Sequence, residues 1–83
     1  MSKTEINECM ELNNDTIRKL KKKVRQLTDI RKTMSEICPA VSLDNLDDEI
    51  ATTMAEIDEA KARNVKRKKQ LKLLEQLEAL ENE

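Results

Sequence analysis

Ile37-Cys38-Pro39-Ala40-Val41-Ser42-Leu43 is the one segment that interrupts a helical reading of this chain. A proline disfavours the α conformation in the residue before it, so Pro39 ends a first helix. Ser42 then reads as the N-cap of a second. Val41 and Leu46 stand at the two positions of a hydrophobic staple, and Asp44, Asp47, Asp48 and Glu49 crowd the positive end of the new helix dipole. The chain opens by the same logic, because Ser2-Lys3-Thr4-Glu5 matches a capping box with Met1 and Ile6 as its staple. The expected organisation of residues 1–83 is a single helical hairpin: helix one over about 3–37, a turn at 38–42 and helix two over about 43–81. At 1.5 Å per residue the helices are roughly 52 and 58 Å long.

Composition agrees. Of the 83 residues, 40% are charged, one is Pro, and none is Gly, Phe, Trp, Tyr or His. Strands draw on aromatic and β-branched residues and their hairpins on Gly, so sheet folds are excluded and an all-α chain is expected. The same absences argue against an enzyme: without His the commonest general base is missing, and without Gly there is no phosphate-cradling loop or nucleophile elbow. No catalytic, cofactor-binding or metal-binding residue is assigned. Cys9 and Cys38 lack the spacing and the His partners of a zinc site, and both read as small buried hydrophobes. Asp44 to Glu49 lacks the Gly of a calcium loop. Neither a signal core nor a membrane span is visible, which makes an intracellular protein, cytoplasmic or nuclear, the expectation.

Outward from the turn, helix one carries a heptad seam. Met10, Ile17, Val24, Arg31 and Cys38 fall at a, and Ile6, Asn13, Leu20, Leu27 and Met34 at d, while Cys9, Ile30 and Ile37 widen the stripe at g. Helix two presents Leu43, Leu46, Ile50, Met54 and Ile57 on one face. Between 60 and 70 only Ala60, Ala62 and Val65 are apolar, and the chain then turns leucine-rich at Leu71, Leu73, Leu74, Leu77 and Leu80. That irregularity reads either as a stutter near 61–68 or as a change of binding partner along the helix.

A short connection between two long helices produces an antiparallel coiled-coil hairpin. Its expected register sets Met10 against Leu71, Ile17 against Val65, Val24 against Ile57 and Met34 against Leu46. Charge blocks support this orientation, since Arg31 and Lys32 then face Asp47 to Glu49, and the run from Arg18 to Arg25 faces Glu56, Asp58 and Glu59. The helix interface is assigned to Ile6, Met10, Ile17, Leu20, Val24, Leu27, Met34, Leu46, Ile50, Met54 and Ile57. Asn13, a polar residue at a d position, reads as a register-setting side chain that needs a buried partner.

One hairpin leaves part of each stripe uncovered, so an oligomer is expected: a four-helix arrangement completed by self-association or by a partner protein, with Leu73, Leu77 and Leu80 as the partner surface. The layout resembles helical coiled-coil subunits of multi-protein assemblies such as kinetochore, tethering and recombination-accessory complexes, without a motif that singles out one family. A non-enzymatic assembly or scaffold module is the first expectation. The alternative is nucleic-acid or microtubule binding through a basic band formed by Arg18, Lys22, Lys23 and Arg25 with Lys66, Arg67, Lys68 and Lys69. The net charge of −1 supplies no global field for such a role, and no aromatic side chain is present to stack on bases.

Overall fold

A computed structural model describes residues 1–82. Two helices, α1 (Lys3–Ile37) and α2 (Asp44–Glu81), fold back on one another as an extended hairpin. It measures 70 × 15 × 14 Å, and its radius of gyration of 19.5 Å far exceeds the roughly 12 Å of a compact chain of this length. The accessible surface is correspondingly large, 6524 Å² against about 5,100 Å² for a compact protein of the same mass.

Local chemistry sets the helix ends. At the start of α1 the Ser2 hydroxyl accepts from the Glu5 backbone N–H at 3.2 Å and donates to the Glu5 carboxylate at 3.3 Å. The capping box is thus present, although its return bond goes to the serine hydroxyl and not to the serine N–H. Cys38 leaves helical geometry at φ −132° and ψ 74°, as a pre-proline residue does. Its carbonyl accepts from the Val41 N–H at 3.1 Å, which closes a turn with Pro39 at the second position, where the fixed proline φ suits it. The second helix starts one residue later than expected. Leu43 is its N-cap, and Ser42 contributes only a 3.5 Å contact from its hydroxyl to the Asp44 N–H. Asp44 and Asp47 in the first turn supply negative charge to the helix dipole.

The covered side chains define a seam. On α1 they are Lys3, Ile6, Met10, Asn13, Ile17, Leu20, Val24, Leu27 and Arg31, spaced alternately three and four residues apart, with Cys9 beside them. On α2 they are Leu43, Leu46, Ile50, Thr53, Ile57, Ala60, Asn64, Arg67, Leu71 and Leu74 with the same alternation, plus Gln70. The spacing passes through 61–68 without a stutter, because Asn64 and Arg67 hold the seats that an apolar periodicity leaves vacant. Ile17, Ile57 and Ala60 form the centre of the core, with Leu20 and Val24 packed against it.

Four expectations about the seam change. Ile17 meets Ile57 and Ala60 and not Val65, which is exposed, so the register lies about one helical turn from the one read off the apolar residues. Met54 is 53% exposed while its neighbour Thr53 is 1% exposed, because the three–four spacing from Ile50 to Ile57 falls on the threonine. The Thr53 hydroxyl is satisfied by the Glu49 carbonyl at 2.8 Å, which makes its burial tolerable. Met34 and Cys38 lie exposed beyond the last covered turn of α1, and Cys9 is half-buried, so neither cysteine is a core residue; both are free thiols.

Ala60 is fully covered where the helices approach, and enlarging it forces a side chain into occupied space. Ala60→Leu is expected to lower stability by about 1–3 kcal/mol, whereas Met54→Ser, at an exposed site, stays within about 0.5 kcal/mol of the parent. Urea unfolding followed by circular dichroism checks both.

Candidate functional site

The seam holds one polar layer. Asn13 Nδ2 donates to Asn64 Oδ1 at 2.9 Å, and Asn64 Nδ2 donates to Asn14 Oδ1 at 2.8 Å and toward the Met10 carbonyl at 3.5 Å. Arg63 Nε completes the group by donating to Asn13 Oδ1 at 3.2 Å. Asn13 therefore has the buried partner its position calls for. Apolar periodicity passes over Asn64 and Asn14, yet Asn64 follows Ile57 by seven residues and Ala60 by four, and that spacing is the signal that marks it.

Ion pairs tie the hairpin at both ends. Lys3 Nζ lies 2.7 Å from Glu78 Oε2 at the open end, and Arg31 grips Asp47 near the turn through both Nε and Nη2. Lys23 pairs with Glu49 at 3.5 Å between them. The Arg31–Asp47 contact matches the charge-block reading. Lys23 reaches Glu49, outside the 56–63 region, while Arg18, Lys21, Lys22 and Arg25 do border a groove with Asp58 and Lys61 as the charge blocks suggest. The Arg31 guanidinium is held above its ordinary range, first by its hydrogen bond to Asp47 and then by the charge of that carboxylate.

Of the expected basic band, the structure unites only a part. Arg18, Lys21, Lys22 and Arg25 from α1 and Lys61 from α2 surround a groove of about 700 Å³, whose apolar surface comes from Val24, Met54 and Ile57 and whose one carboxylate is Asp58. Lys23 lies outside that lining and is engaged with Glu49, and Arg18 pairs with Asp15 along its own helix. Lys66, Lys68 and Lys69 are exposed further along α2 and do not line the groove. Arg67 is half-buried in the seam, where its guanidinium donates to Gln70 Oε1 at 2.8 Å and to the Met1 sulfur at 3.5 Å.

The expected partner surface lies at the open end. Leu73, Leu77 and Leu80 are 64%, 51% and 68% exposed. Leu73 and Leu77 join Met1, Ile6, Leu74 and Gln70 around an apolar depression of about 300 Å³, while Leu80 lies beyond it. Ile30 and Ile37 are exposed toward the turn. Among the described residues no group of His, Cys, Asp and Glu could hold a metal ion, and no helix is long and apolar enough to cross a membrane. Comparison with protein-family models, with curated proteins and with solved structures finds no match to this chain.

The Lys3 ammonium, paired with Glu78 at the open end, is held above its ordinary value of 10.5. The Glu78 hydrogen bond is the main cause, partial desolvation opposes it, and the charges of Glu78 and Glu75 add to it. A cation whose folded pKa is raised contributes stability that is complete below the unfolded value and is lost as pH rises through the folded one. Lys3→Gln is therefore expected to lower the thermal midpoint by a constant small amount across neutral pH, and the two proteins should converge above pH 10.5. Thermal unfolding of both across an alkaline pH series checks this.

Proposed function

We propose that the chain is a non-enzymatic assembly module: an antiparallel coiled-coil hairpin that docks, through the apolar surface it leaves uncovered, onto a second hairpin or a helical partner to complete a four-helix arrangement. The observation that carries this reading is the imbalance between buried and exposed apolar side chains. Four hydrophobic residues are buried, Ile6, Ile17, Ile57 and Ala60, while Ile30, Ile37, Leu73, Leu77 and Leu80 remain outside. Exposed apolar side chains gathered beside a groove mark protein contact surfaces. Burying a leucine releases about 1.5–3 kcal/mol, so closing the depression at Leu73 and Leu77 is a driving force of useful size.

The three–four spacing on both helices supports the coiled-coil geometry, and it leaves flanks on which further helices pack at the shallow angle of a bundle. Two free cysteines suit a reducing compartment, so an intracellular setting belongs to the same proposal. Nucleic-acid or microtubule binding through the full basic band is the weaker reading, because Arg67 is engaged inside the seam and Arg18 and Lys23 face carboxylates.

Sedimentation equilibrium over a wide concentration range tests the proposal directly. The expected result is reversible self-association, or a monomer that gains a defined stoichiometry with a helical partner, weakened at least about tenfold by Leu73→Asp with Leu77→Asp. A well-folded monomer whose behaviour and partner binding are unaffected by those substitutions contradicts it.

A further inference from the structure

We propose that the groove between Arg18, Lys21, Lys22 and Arg25 on α1 and Met54 and Lys61 on α2 binds an acidic amphipathic helix from another protein. The proposal rests on reading the hairpin as an assembly module, and it adds the chemistry of a partner at a surface separate from the terminal leucines.

Charge is the first argument. Five cations border the groove against the single carboxylate of Asp58, in a chain whose total charge is −1. Among the described residues Lys21, Lys22, Arg25 and Lys61 make no ion pair, and Arg18 alone is paired, with Asp15. A local excess of this kind attracts carboxylates and sets which partners approach and in which orientation.

The floor is the second argument, and it separates a protein helix from a polyanion. Val24, Ile57 and the exposed Met54 supply apolar surface between the cations. A nucleic-acid backbone has nothing apolar to lay there, and this chain has no aromatic side chain to stack on a base. An amphipathic helix meets both parts of the groove. Its apolar residues at i, i+3, i+4 and i+7 lie on the floor, and its flanking Asp and Glu reach the rim. Two helices side by side offer a third helix the trough between them, into which its ridge of side chains packs.

Met54 gains a reason by this account. It sits next to a seam position that Thr53 occupies, so the core does not need it, and it stands half in water on the groove lining it shares with Asp58 and Lys61. Methionine is flexible and polarizable and adapts to varied apolar partners, which suits a contact residue at a docking surface. Lysine and arginine carry apolar stems beneath solvated heads, so a rim built from them also offers contact area.

The probe is a fluorescently labelled synthetic helix of about 18 residues, five turns, with leucines at i, i+3, i+4 and i+7 spacing and glutamates on both flanks. It is titrated with the full chain and followed by anisotropy. Saturable binding is expected, weakening as salt rises, and falling at least about tenfold with Met54→Asp and with Lys21→Glu plus Lys22→Glu. All three positions are exposed, and unchanged helicity by circular dichroism shows that the variants fold. A peptide of the same composition with its leucines scattered around the helix, and one with lysine for glutamate, should not bind.

Absence of binding overturns the proposal, as does equal binding of the scattered-leucine peptide, which would show charge attraction alone. Tighter binding of a short DNA duplex with the same sensitivity to Lys21→Glu plus Lys22→Glu would replace the partner with a nucleic acid. Self-association abolished by Met54→Asp would assign the groove to a second copy of this chain. Failure here leaves the effect of Leu73→Asp with Leu77→Asp on assembly standing, so the two readings fail separately.

Discussion

A buried amide cannot be left without hydrogen-bond partners, and the structure satisfies that demand at one level of the hairpin. Asn64 is covered by α1, and it is paired only where Asn13 accompanies it on the seam and Asn14 flanks it. Leaving such a group unsatisfied costs about 1–3 kcal/mol, so sliding one helix along the other by a turn is opposed here more sharply than by the interchangeable leucines and isoleucines elsewhere. Once that layer is aligned, Ala60 falls beside Ile17, Thr53 is covered on the seam, and Arg31 comes within reach of Asp47. Among the described residues no buried side-chain nitrogen or oxygen lacks a partner. A narrow, sparsely buried hairpin has little margin for such a loss.

Sequence made one helix nearly transparent and the other only half so. The turn at Pro39, the Ser2 cap and the α1 seam from Ile6 to Leu27 rest on strong local signals: a ring that restricts its neighbour, a hydroxyl that reaches a free N–H, and apolar residues at regular spacing. On α2 the seam seats at 53, 64 and 67 are Thr, Asn and Arg, and a reading that follows apolar residues passes over them. It selects Met54 in place of Thr53 and reads a stutter or a change of partner where the spacing is continuous. The register differs for the same reason, since apolar matching sets Ile17 against Val65 whereas it packs with Ile57 and Ala60. Polar seam residues become visible only when the facing helix supplies their hydrogen-bond partners, which is information about a pair of helices and not about one.

The surfaces follow from that register. Having Arg67 in the seam removes a cation from the outer face of α2 and places it on Gln70 and Met1, next to the terminal leucines. Aligning the 18–25 run with Met54, Ile57, Asp58 and Lys61 creates a groove that is apolar beneath and basic at its rim. The open end offers the contrasting chemistry of exposed leucines alternating with glutamates. A rod 70 Å long and about 15 Å wide thereby carries two exposed surfaces of different chemistry, one basic at its rim and one apolar at its open end.

The role of the asparagine layer is tested most directly by measuring register with and without it. Spin labels at residues 8 and 48 (Glu8→Cys, Asp48→Cys, with Cys9→Ala and Cys38→Ser) sit on different helices and are separated mainly along the hairpin axis. Pulsed electron resonance between them should give one narrow distance in the otherwise native chain. Replacing the layer by Asn13→Leu with Asn64→Leu should retain or raise thermal stability yet split the distribution into populations about 10 Å apart, the length of one heptad. A single unchanged distance in that variant would contradict the account, because the register would then be set without the amides.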